Sequence, residues 1–187
     1  MTHINKTVAK AQSRATLIHY CFISKDPTTL TRAFTTYVRP ILEYASSIWS
    51  PYLVGAIKKI ESVQRTFTKR IRSMKSLSYA DRLSALALES LEIRRLRLDL
   101  IYLYKILFGM VDIEWSSMFA FAPMSITRGH CYKHFVKRSR VNIRQQFFCN
   151  RIVSAWNNLP ARPEHFCSLS VFISFVKAAN LSEWTSL

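Results

Sequence analysis

Seven basic side chains lie between Lys58 and Lys75, with Glu61 as the one acid among them. Lys58, Ser62, Arg65, Lys69 and Arg72 recur at helical spacing, so they would share one face of a helix. That face turns away from an apolar stripe of Ile57, Ile60, Val63, Phe67, Ile71 and Met74. A row of cations of this kind can contact successive phosphates of a polyanion, or simply solvate an outer surface. Arg94, Arg95 and Arg97 form a second cluster, in which Arg94 or Arg95 could instead pair with Glu92 or Asp99. A third runs through Lys133, Lys137, Arg138, Arg140 and Arg144. The candidate phosphate contacts are Lys58, Arg65, Lys69 and Arg72, with Lys137, Arg138 and Arg140 in support.

Other chemistries find little material. Nucleotidyl transfer through two metal ions needs carboxylates a few ångströms apart. Here no two acidic residues are adjacent, and Asp26, Asp81, Asp99 and Asp112 are scattered. The only glycines are Gly55, Gly109 and Gly129, too far apart for a phosphate-cradling loop. No serine sits in a nucleophile elbow, and no cysteine has an activating helix start and histidine beside it. No catalytic residue, no metal and no cofactor is therefore expected, and the chain does not read as an enzyme. The zinc alternative stays open at Cys131, His134, His165 and Cys167, which supply suitable donors in one fair pair and one poor one.

The net charge of +16 and the pI near 10.1 give a surface that repels itself and attracts polyanions. Nucleic acid is the expected partner, whereas no apolar run approaches the roughly 18 residues that span a bilayer. The start carries Lys6, Lys10 and Arg14 with no acid before Asp26, a faint transit-peptide pattern, but it lacks the apolar stretch of a secretory signal. Four cysteines without such a signal suggest reduced thiols in an intracellular protein, in nucleus or cytoplasm.

A hydrophobic fraction of 49% is enough for a core, and its spacing is mainly helical. Helices are predicted over 5–22, with Val8, Ala11, Ala15, Ile18 and Phe22 on one face, over 28–47, with Leu30, Phe34, Tyr37, Ile41 and Tyr44 recurring and Pro40 as a kink or break, and over 53–74. Others follow over 78–86 behind a Ser78/Asp81 capping pair, 90–108 before Gly109, 143–158 and 168–179. The poorly patterned 113–135, with Pro123 and Gly129 as breakers, is expected to be loop-rich, with a short strand at 132–136. Trp49 and Trp156 read as core, although they and Tyr52 could stack on bases. This divides the chain into a helical bundle, 1–112, and a smaller helical module, 113–187, with a loop-rich start.

An ordered series of short signatures runs through these elements. Tyr37-Val38-Arg39-Pro40-Ile41-Leu42-Glu43-Tyr44 leads to Trp49-Ser50-Pro51-Tyr52 and Ile60-Glu61-Ser62-Val63-Gln64-Arg65. Ser78-Tyr79-Ala80-Asp81-Arg82-Leu83 and Arg94-Arg95-Leu96-Arg97-Leu98-Asp99-Leu100 come next. Thr127-Arg128-Gly129-His130, Phe147-Phe148, Arg151-Ile152-Val153 and Ala155-Trp156-Asn157-Asn158-Leu159-Pro160 close it. In this order the series resembles the post-palm region of non-LTR (LINE-type, Jockey/chicken-repeat-like) retrotransposon reverse transcriptases.

The resemblance implies that 1–112 is thumb-like and lies along a template-primer duplex. The contact would be to the backbone of an RNA–DNA hybrid, a duplex or RNA. It begins downstream of the polymerase active site, so the chain is expected to be a non-catalytic C-terminal fragment of an RNA-directed DNA polymerase. The alternative is a structural piece that packs against the missing palm and has no independent function.

Overall fold

A computed structural model describes residues 2–122 and 130–185; Pro123, Gly129 and the Thr127-Arg128-Gly129 signature lie outside them. Among the described residues the structure is mainly helical and contains no strand. It divides into two compact units, the first ending at Arg94 and the second being Arg95–Thr185.

In the first unit, α1 (Thr2–Cys21) buries Val8, Ala11, Ala15 and Ile18, the single face that their spacing predicts. Lys25 donates from Nζ to the Phe22 carbonyl at 2.7 Å and to that of His19, satisfying the end of α1. Asp26 then caps α2 (Pro27–Tyr37) by accepting from the Thr29 N–H at 2.8 Å, with Pro27 at the first helical position. The helix expected over 28–47 is divided into α2, α3 (Arg39–Glu43) and α4 (Ser46–Trp49). Pro40 starts a helix rather than interrupting one, and Ala45 at φ 52° separates the last two. The division shifts the phase of the apolar side. Val38 and Leu42 are buried with Leu30 and Phe34, while Tyr37 and Tyr44 are left outside. Trp49 donates its indole N–H to the Tyr44 carbonyl at 2.7 Å and packs at the core margin.

Helix α5 (Val54–Lys69) buries Ile57, Ile60, Val63 and Phe67, as its stripe predicts, and Phe67 meets Phe34 with ring centroids 4.7 Å apart. It stops at Lys69, earlier than expected. Ile71 turns extended and enters the core, and Arg72–Met74 form one 3-10 turn. Glu61 is the surprise: it is 1% exposed and lies on the inner side. Its carboxylate accepts from the Tyr79 hydroxyl of α6 (Tyr79–Ala85) and, at 2.9 Å, from the Leu91 N–H at the start of α7 (Leu91–Leu107). An acid at a helix N-terminus meets both an orphan donor and the positive end of the dipole.

The side chains around Glu61 complete the arrangement. Gln64 donates to the Tyr79 oxygen at 3.2 Å and to the Glu89 carbonyl at 2.8 Å. Arg82, also buried, donates to Thr68 at 3.2 Å and to the Leu77 carbonyl at 2.8 Å. The Arg65 and Arg82 guanidiniums lie 4.6 and 5.4 Å from the centre of the Tyr79 ring. Burial, and then the Glu61 charge, push the Tyr79 hydroxyl well above its ordinary pKa, so it remains a donor.

The division between the units falls inside α7 rather than at 112/113. The first turn of α7 is bound within the first unit, by Leu91 to Glu61 and by Arg94 to Glu43 at 2.5 Å. From Leu96 onward its apolar residues pack in the second unit, with α8 (Trp115–Met118), α9 (Asn142–Gln145), α10 (Phe148–Asn157) and α11 (Leu169–Ala178). Gly109 at φ 66° follows the end of α7. This core is aromatic. Trp156 and Phe172 are 0% exposed, Tyr104 stacks on Phe172 at 4.6 Å, and the Tyr104 hydroxyl donates to the Phe166 carbonyl at 2.8 Å. The predicted strand at 132–136 is reduced to one antiparallel bridge between Phe121 and His134. The helix predicted over 143–158 breaks between α9 and α10, where Phe147 is extended.

Removing Glu61 strands a buried hydroxyl and a helix-start N–H, so Glu61→Ala should cost about 2–4 kcal/mol and Tyr79→Phe about 1–3 kcal/mol. Urea unfolding of both variants and the double variant should give a coupling of about 1 kcal/mol or more. Additive losses would show that the two side chains act independently.

Candidate functional site

Two cationic surfaces stand out, one in each unit. The first is the outer side of α5. Lys58, Arg65 and Lys69 are all exposed on the side opposite Ile57, Ile60 and Phe67, and Arg72 is exposed on the turn beyond the helix end. Lys59 and Arg70 are exposed on the same helix and its cap. Because Glu61 points inward, no acid of α5 shares this outer side. Two of these cations are braced. Arg65 rests on the Tyr79 ring, and Lys59 donates to Asn5 Oδ1 at 2.7 Å. Bracing reduces the side-chain freedom lost on contact with a phosphate.

The second surface is a cleft of about 1090 Å³ in the second unit, lined by Lys137, Arg138, Arg140 and Arg144. Among the described residues no carboxylate lines it. Its apolar lining includes Phe135 and Phe147, which are 55% and 57% exposed. The structure thus brings Lys137, Arg138 and Arg140 together and adds Arg144 from α9.

Backbone contacts hold this cleft in shape. Lys137 donates to the Met118 carbonyl at 3.4 Å, and Gln145 donates to the Ser139 carbonyl at 2.8 Å. Asn150 of α10 donates to the Arg144 carbonyl at 2.6 Å. Arg151 reaches the Gln146 carbonyl at 3.2 Å while pairing with buried Asp99 at 2.7 Å. The segment entering the cleft is gripped from α10 as well. Asn157 accepts from the His134 N–H at 2.8 Å and donates to the His134 carbonyl at 2.7 Å, replacing a strand partner. The Trp156 indole donates to the Tyr132 carbonyl at 2.7 Å, and His130 Nε2 donates to the Trp156 carbonyl at 2.9 Å.

The second sequence cluster serves the fold. Arg94 pairs with Glu43 rather than Glu92 or Asp99, and Arg97 donates to the Lys177 and Ala179 carbonyls at the end of α11. Arg95 is 5% exposed. Trp156 is buried and Trp49 engaged, whereas Tyr52 is exposed. The four candidate zinc ligands are not assembled. Cys131 and Cys167 are exposed, His134 is buried, and His165 Nδ1 accepts from the Arg162 N–H at 3.0 Å. Among the described residues no three His, Cys, Asp or Glu side chains are grouped to hold a metal ion, and no helix is long and apolar enough to cross a membrane.

Phe135 and Phe147 were not singled out by sequence as surface groups. Their exposure follows only from the burial of their neighbours: Phe135 faces away from buried His134 in an extended segment, and Phe147 precedes the buried Phe148. No family model, curated protein or solved structure matches the chain.

His130 and His134 are buried, and His130 Nδ1 and His134 Nε2 meet no hydrogen-bond donor among the described residues. Burial lowers the pKa of both, that of His134 to about 4 from an ordinary 6.5. Between those values the unfolded chain binds more protons than the folded one, so stability rises with pH. The second unit should be at full strength above about pH 6.5 and lose on the order of 1–3 kcal/mol as the pH falls toward about 4. NMR titration of His134 together with amide exchange in α10 checks this; a midpoint near 6.5 with unchanged protection would contradict it.

Proposed function

We propose that this chain is a non-catalytic, nucleic-acid-binding piece of an RNA-directed DNA polymerase of the non-LTR retrotransposon type. It seats the template-primer backbone and leaves chemistry to the polymerase palm. The observation that carries this reading is the outer side of α5, where Lys58, Arg65 and Lys69 stand exposed and the one acid of the segment is turned inside. A regular row of cations without base-reading geometry suits phosphate contact, which positions a duplex without reading its sequence. The cation-lined cleft at Lys137, Arg138 and Arg140 supports the same partner class. The signature series from Tyr37 to Pro160 supports the polymerase context.

A second reading, a structural piece docking on the palm, is favoured by one observation. Tyr44 and Ile48 are 81% and 86% exposed within that series, which suits an apolar contact to another domain. On this reading the purified chain should self-associate in ordinary buffer and show no salt-dependent affinity for nucleic acid.

The test is anisotropy of the chain against a labelled RNA–DNA hybrid across salt concentrations. Replacing Lys58, Arg65, Lys69 and Arg72 together by Ala should weaken binding. The log–log salt slope should flatten by about 0.9 for each lost duplex contact. Unchanged affinity and slope would remove this face from the account.

A further inference from the structure

We infer that the cleft of the second unit takes an unpaired single strand, with bases stacked on Phe135 and Phe147 and phosphates held by Lys137, Arg138, Arg140 and Arg144. This rests on the nucleic-acid reading above and names the form of nucleic acid for one of its two surfaces. The two surfaces differ in a way that matters to a ligand. The exposed residues of α5 are cations, threonine, glycine and one valine, with no aromatic ring among them. The cleft sets two exposed phenyl rings among four cations, with no carboxylate among the described residues that line it.

A duplex presents phosphates outward and keeps its base faces covered by stacking. It would neutralise the cations of the cleft but gain nothing from exposed phenylalanines. An unpaired strand presents both phosphates and bare π-faces, so each kind of lining residue acquires a partner. Volume agrees with this. A space of about 1090 Å³ is slightly larger than the range of about 300–1,000 Å³ common for small-ligand sites, so a short run of nucleotides fits.

Exposure of the rings also needs a reason. Phe148, the next residue, is buried in the core, and Phe147 caps α10 through its backbone alone. Phe135 stands beside buried His134 on the bridge segment. Neither ring is needed outside to make the fold, and a polar residue would serve as well there. Concavity argues against a lipid surface, because apolar groups enter a bilayer from a protruding face rather than from the walls of a cleft.

The experiment compares an unstructured RNA of about 12 nucleotides, a span that single-strand modules cover, with the same RNA annealed to its DNA complement. Wild-type chain, Phe135→Ala, Phe147→Ala, the two Phe→Trp variants, and Phe135→Leu as a control for apolar bulk are titrated with each. Single-strand affinity should fall about tenfold or more for each Phe→Ala, survive in Phe→Trp, and be only partly kept by Leu. The salt slope for the single strand should not change in these variants, since no charge is removed. Neutralising Lys137, Arg138, Arg140 and Arg144 should instead flatten that slope by about 0.7 per lost contact.

Duplex binding that persists while the single strand is not bound, or is bound equally by Phe→Ala, would overturn the inference and leave the α5 reading standing. No binding of either nucleic acid would overturn both. Binding to phosphatidylserine vesicles that depends on Phe135 and Phe147, with no RNA binding, would overturn both in favour of a lipid surface.

Discussion

A buried carboxylate organises the first unit. Glu61 sits in the middle of the most basic helix of the chain, and its position there looks wrong until its partners are seen. Taking a carboxylate out of water is costly, and only several well-placed donors make it tolerable. Here the donors include the Tyr79 hydroxyl and the Leu91 N–H, each on a different helix, so one buried side chain ties three elements together. The Arg65 and Arg82 guanidiniums on the Tyr79 ring add positive charge nearby. Turning the acid inward also clears negative charge from the outer side of α5. Scaffold and surface are therefore two results of one side-chain orientation.

The second unit reaches a comparable end by different means. Its core is a set of stacked and tilted rings around Trp156, and Trp156 and Asn157 at the end of α10 grip the 130–134 segment through backbone groups. Arg151 couples buried Asp99 to the backbone that precedes α10. The cleft is thus held by a helix whose inner side is core and whose ends are clasps.

Much of this was legible in the sequence, because apolar spacing reports burial directly. The buried sides of α1 and α5 are those their stripes predict, Ser78 caps α6, and the segment that holds Pro40 is divided, with Pro40 in the first turn of α3. The failures have local causes. Tyr37 and Tyr44 fit the helical period only if that segment is continuous, and the break at Val38 moves the core side to Val38 and Leu42. Glu61 looks like surface charge because spacing says nothing about distant donors. Arg94 finds Glu43 and Arg151 finds Asp99, partners far away in sequence that helix spacing does not suggest. Of the candidate contacts, Lys137, Arg138 and Arg140 do share a lining, but the phenylalanines beside them could be read as surface only once Phe148 and His134 were known to face inward.

The grip of Asn157 and Trp156 on the segment before the cleft has an evolutionary corollary. Both side chains bind main-chain groups of Tyr132 and His134, which any residue other than proline at 134 would offer. The outward side chains from Phe135 to Val141 are exposed for the most part, so exchanging them disturbs the scaffold by no more than about 0.5 kcal/mol at a typical surface site. The lining of the cleft can therefore drift by single substitutions while the architecture stays fixed. Descendants of one such chain could diverge in that lining without passing through an unfolded intermediate sequence.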